Sequence, residues 1–344
     1  MNKFKYYFIL SVATLSLFSC SKDEETVEVV PPRDYAEQYA TDIADIEEYL
    51  KTYYITVVDH PGFQDDQDVT FTKIPAGGTQ ASIWSYKDSA GFPKLLTREV
   101  NRHGFTYILY YVVLREGSGE SPCNVDEVLT SYRGDYLQQV TTEGITTLTV
   151  TQFEEVKNPQ SFLSLFSTIP GWGETFPKFK TGTYMSNTDG TVSYNDFGAG
   201  IMFIPSGLAY FAAGSNSIPS YAPLVFSFKL YEIKRSDIDV DFGTNILRPD
   251  GIPSYLEDLN GDGYIYDYRN LINYPTPPAE NPDDTDKDGV PDFLDVDDDG
   301  DNYTTKIEIK DGNGVIYPFA SIPSCDGNTT DPARIKKYLD KSCH

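Results

Sequence analysis

Apolar positions in residues 34–53, DYAEQYATDIADIEEYLKTY, fall at Tyr35, Tyr39, Ile43, Ile46 and Leu50, the three- and four-residue spacing of one helix face. Asp34 stands where an N-cap is needed, and Glu37 three residues on completes a capping-box pattern. From residue 69 to 113 the period becomes strand-like, in VTFT at 69–72, SIWSY at 82–86 and the run from Phe105 onward. Trp84 falls in the second of these, with core packing as its default role. The run IMFI at 201–204 is apolar without alternation and stops at Pro205, which has no N–H for a sheet ladder. In LVFSFKL at 224–230, Leu224, Phe226, Phe228 and Leu230 share one strand face. A loop of glycine, proline and serine between these two strands carries Tyr210 and Ile218.

Earlier in the chain, Lys3 and Lys5 precede an apolar run from Tyr6 to Phe18, too short to span a bilayer and laid out as a signal peptide. Its end, Leu17-Phe18-Ser19-Cys20, resembles the bacterial lipobox, which implies cleavage before Cys20 and lipidation of that thiol. An ordinary signal peptide with an incidental cysteine is the alternative. The acidic residues after Cys20 resemble the surface-export tag of Bacteroidetes lipoproteins, and they begin a tether over 20–33. The 344 residues carry 27 basic and 52 acidic side chains, a net charge of −25. A phosphate backbone would be repelled by that charge, so nucleic acid is excluded as a partner, while cation binding is favoured.

Chemistry enters with an ordered set of motifs. TSYRG at 130–134, QFE at 152–154, IPGW at 169–172, IPSGLAY at 204–210 and IPSYAPLVF at 218–226 together resemble the FK506-binding-protein family of peptidyl-prolyl cis-trans isomerases. Within that family the chain looks most like the Bacteroidetes gliding-motility-associated isomerase lipoproteins. The resemblance implies an α+β fold, an antiparallel sheet wrapped on a short helix, over 105–235, with residues 34–104 as an N-terminal extension. It places Trp172 under a substrate proline ring, with Tyr132, Phe153, Phe162 and Phe226 as walls. Ile169 and Glu154 stand at matching motif positions. The Tyr210 hydroxyl and the Ile218 N–H would hold the flanking carbonyl oxygens. Such a site needs no cofactor. Pro177, in FPKFKTG, must sit near an end of the short helix. Departures from the family pattern are Phe211 in place of glycine, Ser220 in place of proline, Glu154 in place of aspartate, and a longer loop over 183–200. The implied partners are proline-containing exported polypeptides, with the membrane reached through the lipid anchor of an outer-membrane lipoprotein. A silent proline-binding module and a calcium-dependent surface scaffold are the rival readings.

Beyond residue 235 the composition turns acidic. DGIPSYLEDLNGDG from Asp250 recurs, one residue shorter, as DGVPDFLDVDDDG from Asp288. Asp258, Asn260 and Asp262 form one Asp-x-Asp/Asn-x-Asp-Gly loop; Asp284, Asp286 and Asp288 form a second; Asp292, Asp295, Asp297 and Asp299 continue it. Carboxylates two apart around a glycine turn suit Ca²⁺ and its six to eight oxygen ligands. Arg269 and Asp295 at the twelfth positions exclude EF-hands, and the run from Asp284 to Asp301 resembles thrombospondin type 3 calcium repeats. Tyr255 and Phe293 recur as if packed between loops. The acidic region is placed at 236–310 and a tail at 311–344, where Cys325 and Cys343 could pair, leaving Cys123 over.

Overall fold

The computed structural model describes residues 31–343. The signal-peptide run and Cys20 lie outside the described residues. The chain divides into two units at Arg33 and Asp34, and the architecture below is that of the second. Among the described residues no helix is long and apolar enough to cross a membrane.

Helix α1, Tyr35–Thr52, begins where the sequence predicts, with the Asp34 carboxylate accepting from the N–H groups of Ala36 and Glu37 at 2.8 and 3.1 Å. It stops one residue early because Tyr53 is extended and opens strand β1, Tyr53–Val57, paired with β2, Val69–Lys73. The main sheet is antiparallel. It contains β3 (Lys94–Arg102), β4 (Phe105–Arg115), β5 (Glu127–Thr142), β6 (Ile145–Val156) and the short β7 (Leu163–Ser164). After the hairpin β8 (Thr183–Ser186) and β9 (Val192–Asn195), β10 (Gly198–Ile204) and β11 (Leu224–Lys234) complete it. The order is β3-β4-β10-β11-β5-β6, with β7 on β5. Two tight turns set its hairpins: His103-Gly104 (φ 56° and 85°) and Glu143-Gly144 (φ 53° and 80°), the left-handed pairs that match strand twist.

Both faces of this sheet are covered, which explains why IMFI shows no alternation. Leu109, Tyr111, Val113, Met202, Ile204, Leu224, Phe226, Phe228 and Leu230 face a core containing Trp172, Phe176 and Phe179. Tyr110, Val112, Leu114, Ile201, Phe203 and Val225 face the opposite way, onto Ile46, Tyr49 and Leu50 of α1. The sheet therefore runs across the boundary placed at residue 104, since β3 pairs with β4 along its whole length. One strand expectation fails. Residues Ile83–Asp88 form a 3-10 turn whose hydrogen bonds are local, Ser85 N–H to Ser82 O at 3.0 Å. Trp84 caps the α1 side there, under the ammonium groups of Lys51 and Lys87 at 4.5 and 4.9 Å.

Helix α2, Pro170–Thr175, carries proline at its start, where the missing N–H costs nothing, and passes into the 3-10 turn Phe176–Lys178 that holds Pro177. The acidic region is ordered against the sheet domain. Cys123, Val125, Ile265, Phe293 and Leu294 share one small core, and Ile252, Ile309, Ile322 and Tyr338 another, so the tail is built into the same unit. Asn124 clamps the Ile265 backbone from both sides at 2.8 and 2.9 Å.

Candidate functional site

Trp172 lies in the first turn of α2 with 4% of its surface exposed. The rings of Tyr132 on β5 and Phe226 on β11 stand edge-on to it, with centroids 5.0 and 5.3 Å away. Phe153 on β6 stands edge-on to Phe226 at 5.6 Å. Strand register assembles this box, because Phe226 pairs with Gly134 and Gly134 with Glu154. A Cβ at Gly134 would lie 2.4 Å from Phe153 Cζ and 2.8 Å from Phe226 Cε1. The glycine of YRG is therefore what lets the two walls meet.

The Tyr132 hydroxyl donates to Glu154 Oε2 at 2.9 Å, joining β5 to β6 beside the ring cluster. Burial, then Glu154, push the Tyr132 phenol far above its usual range. Tyr210 closes the IPSGLAY segment, 37% exposed; burial and the Glu154 charge raise its phenol too. Ile169 is the N-cap residue of α2 and packs on the aromatic core. Ile218 N–H donates to Ser215 O at 2.7 Å inside its own turn, so it is not a free donor. Among the described residues the Ile169 N–H has no acceptor, because it precedes the helix that begins at Pro170. Phe162, half-buried just before β7, makes no ring contact with this group among the described residues. Trp172 Nε1 is buried and lacks an acceptor.

Phe211 has φ 45°, a left-handed backbone that glycine adopts more freely. Its ring stacks on Tyr35 of α1 at 4.0 Å and meets Tyr221 edge-on at 5.2 Å. Tyr35 in turn stacks on His103 at 3.6 Å. The bulky residue thus docks the helix onto the loop. Glu174, two residues after Trp172, accepts from Arg98 Nε at 3.0 Å and from the Tyr266 hydroxyl at 3.0 Å. The Tyr264 hydroxyl donates to Glu174 O at 3.0 Å. The YIYDY segment of the acidic region therefore grips the central helix, a contact that no sequence motif signals.

In the acidic region the structure brings together Asp284, Asp286 and Asp288, and separately Asp297, Asp299 and Asp301, with carboxylate oxygens within 4.8 Å of one another in each set. Glu308 joins the second set electrostatically; burial, then Asp299 and Asp301, push it up to about 8. The loop of Asp258, Asn260 and Asp262 turns on itself, with Asp258 accepting from Gly261 and Gly263 N–H at 2.8 and 2.7 Å. Asp292 spends its oxygens on Thr285 N–H and hydroxyl at 2.8 and 2.7 Å. Asp295 accepts from Val296 and Asp297 N–H at 2.7 and 3.0 Å. Cys325 and Cys343 are neighbouring free thiols, and burial, with Cys325 beside it, pushes the Cys343 thiol up to about 12.

A family model described as BamM C-terminal matches residues 248–332. No curated protein matches the chain. Its structural neighbours include peptidyl-prolyl isomerases of FK506-binding type. FkpA from Escherichia coli is 25% identical over 44% of this chain and 55% of that one, with a TM-score of 0.29. The chain thus spans about half of FkpA's length. A peptidyl-prolyl cis-trans isomerase from Pseudomonas syringae pv. tomato is 22% identical over 46% of this chain and 100% of that one, at 0.28. The N-terminal domain of FKBP42 from Arabidopsis thaliana is 16% identical over 37% and 86%, at 0.26.

Proposed function

We propose that the protein is a peptidyl-prolyl cis-trans isomerase acting on exported polypeptides. The observation that carries this reading is the box of Tyr132, Phe153, Trp172 and Phe226 around one apolar floor, with Tyr210 and the Ile169 N–H beside it. Rotation about an X–Pro bond breaks no covalent bond; its barrier of about 18–20 kcal/mol is the loss of amide resonance. An apolar cradle removes water from the amide and favours the twisted state, in which resonance no longer spreads charge onto the carbonyl oxygen. The Tyr210 hydroxyl and Ile169 N–H supply directional donors for the neighbouring carbonyls. Each tenfold of rate needs only about 1.4 kcal/mol. The orphan Trp172 N–H costs about 1–3 kcal/mol until an acceptor reaches it, which fits a site completed by ligand or water.

A protease-coupled proline-peptide assay on wild type, Trp172→Ala and Tyr210→Phe tests the reading. Trp172→Ala should abolish binding and turnover together; Tyr210→Phe should lower kcat/KM several-fold with the fold intact, one hydrogen bond being worth about 1 kcal/mol. Peptide binding without acceleration in the wild type makes the protein a proline-binding module. Neither binding nor acceleration leaves only the calcium-dependent scaffold, which the convergent loops at Asp286 and Asp299 favour. We also propose calcium for those two loops and lipidation at Cys20 in an outer-membrane lipoprotein; Cys20→Ser should release the protein from the membrane fraction.

A further inference from the structure

We propose that Asp237, Asp239, Asp250, Glu257 and Asp298 form a buried two-cation site in which Asp250 is shared between the ions. None of these residues is among the ligands that the Asp-x-Asp loops nominate, although Asp298 lies within the last of those loops, and the site stands apart from the isomerase reading. Asp237 and Asp239 follow the end of β11, Asp250 and Glu257 flank the 3-10 turn Ser254–Leu256, and Asp298 arrives from the last acidic loop. Oxygens of Asp237, Asp239 and Asp250 lie within 4.8 Å of one another, and so do those of Asp250, Glu257 and Asp298.

Burial separates this cluster from an ordinary acidic surface. Asp239 is 0% exposed, and Asp250, Glu257 and Asp298 are each 1% exposed. Both carboxylate oxygens of Glu257 and of Asp298 lack any partner, as do Asp237 Oδ1, Asp239 Oδ1, Asp250 Oδ2 and the Ser254 hydroxyl. Removing one unpaired charge from water costs several kcal/mol, and here the charges also repel. The positive group acting on Asp250 is Lys306, whose ammonium is held by Pro249 O at 2.6 Å. One lysine cannot offset five carboxylates, whereas two divalent cations and that lysine balance them. Without a cation, burial and the neighbouring acids drive Glu257 and Asp298 far above the usual carboxylate range.

The donor set is entirely oxygen, with two carboxylates free to bind through both atoms, which fits Ca²⁺ rather than a metal that prefers nitrogen or sulfur. Such a site would fasten the exit of β11 to the acidic region, where Arg235 and Ser236 already hold Asp126 at 2.6 and 3.1 Å. Bound calcium per full-length chain is measured after EGTA stripping and reloading. The double variant Asp286→Asn/Asp297→Asn, which leaves the buried cluster intact, should keep about two tightly held ions; if it keeps none, the proposal is overturned while the loop assignment survives. Glu257→Gln should lower the thermal midpoint in calcium and raise it in EGTA, where it relieves repulsion. If Glu257→Gln raises the midpoint equally in both, the acids are protonated pairs and no cation binds there. Asp250→Asn should lose both buried ions; retention of the full complement overturns the shared ligand.

Discussion

Replacing Phe211 with glycine sets two effects of similar size against each other. Phe211 has φ 45°, and a non-glycine residue in that region gives up about 1–2 kcal/mol. Glycine recovers this, but its freer unfolded chain takes back about 0.4–1 kcal/mol. Against the remainder stands the ring, stacked on Tyr35 and edge-on to Tyr221. Truncating a fully buried phenylalanine costs about 3–5 kcal/mol; Phe211 is only partly buried, which halves that to about 1.5–2.5. The packing term wins, and Phe211→Gly should be destabilised by about 1 kcal/mol, a midpoint fall of about 1–2 °C for a chain of this size. Urea denaturation gives the size, and limited proteolysis within α1 gives the place. Because the ring turns toward α1 and not toward Trp172, isomerase efficiency should stay within about twofold. A more stable variant would show that backbone strain dominates. A several-fold faster one would show that Phe211 gates the pocket, and either result refutes the docking role.

Other outcomes follow from the same contacts. Gly134→Ala should push Phe153 and Phe226 apart at a cost of about 1–3 kcal/mol, lowering both the thermal midpoint and peptide affinity. A variant that binds as wild type would mean the walls do not need that approach. His103, stacked on Tyr35 and held at 2.9 Å from the Tyr107 hydroxyl, is lowered from 6.5 to about 4 by burial and then by Arg102. The folded chain binds that proton less well than the unfolded chain, so stability is full above pH 6.5 and is lost as pH falls toward 4. His103→Phe should flatten that window in denaturation curves, and an unchanged slope rules His103 out as its source. Asp42, buried on α1, accepts from the Ser206 N–H and hydroxyl at 2.7 and 2.6 Å. Asp42→Ala should cost about 1–3 kcal/mol by orphaning those donors, measured by urea midpoint; a neutral result would mean water replaces the carboxylate.

Much of the sheet and of its aromatic cluster was legible because each element carries a local signature. The α1 stripe, its Asp34 cap and the shared face of Leu224, Phe226, Phe228 and Leu230 are periodicities that burial enforces. Tyr132, Phe153, Trp172 and Phe226 could be named in advance because motif order survives where spacing drifts. β1 was hidden because YYITV continues the helix's apolar rhythm, and β3 because its burial does not alternate cleanly. Which backbone N–H is already bonded has no letter in the sequence; only the fold shows that the Ile218 N–H is held by Ser215 O while Ile169 stands just before α2. The buried acids were missed for a related reason. Their ligands come from three separate segments, so no spacing rule joins Asp239, Glu257 and Asp298.

The three regions of the sequence meet at α2, which sets the acidic appendage against the helix that carries Trp172. Glu174 is 5% exposed and sits two residues from Trp172, so its charge must be paired where it lies. Arg98 of β3 supplies the cation, and the guanidinium is itself stacked 3.6 Å over Tyr264, while Tyr266 supplies a hydroxyl. Two of these three supports belong to the acidic region, whose clustered carboxylates repel one another unless cations bind as proposed. On that proposal, stripping the cations should release Tyr264 and Tyr266, leaving Glu174 with Arg98 alone and the first turn of α2 less firmly seated. Trp172 would then pay in orientation before it paid in fold, because its own ring contacts to Tyr132 and Phe226 remain. Tyr266→Phe isolates that step by deleting one hydroxyl while keeping the ring. In calcium it should lower isomerase efficiency about two- to fivefold, as one lost hydrogen bond to a charged group transmits part of about 1.5–3 kcal/mol. Efficiency identical to wild type, in calcium and in EGTA alike, would mean that the appendage and the pocket share a chain but no mechanical connection.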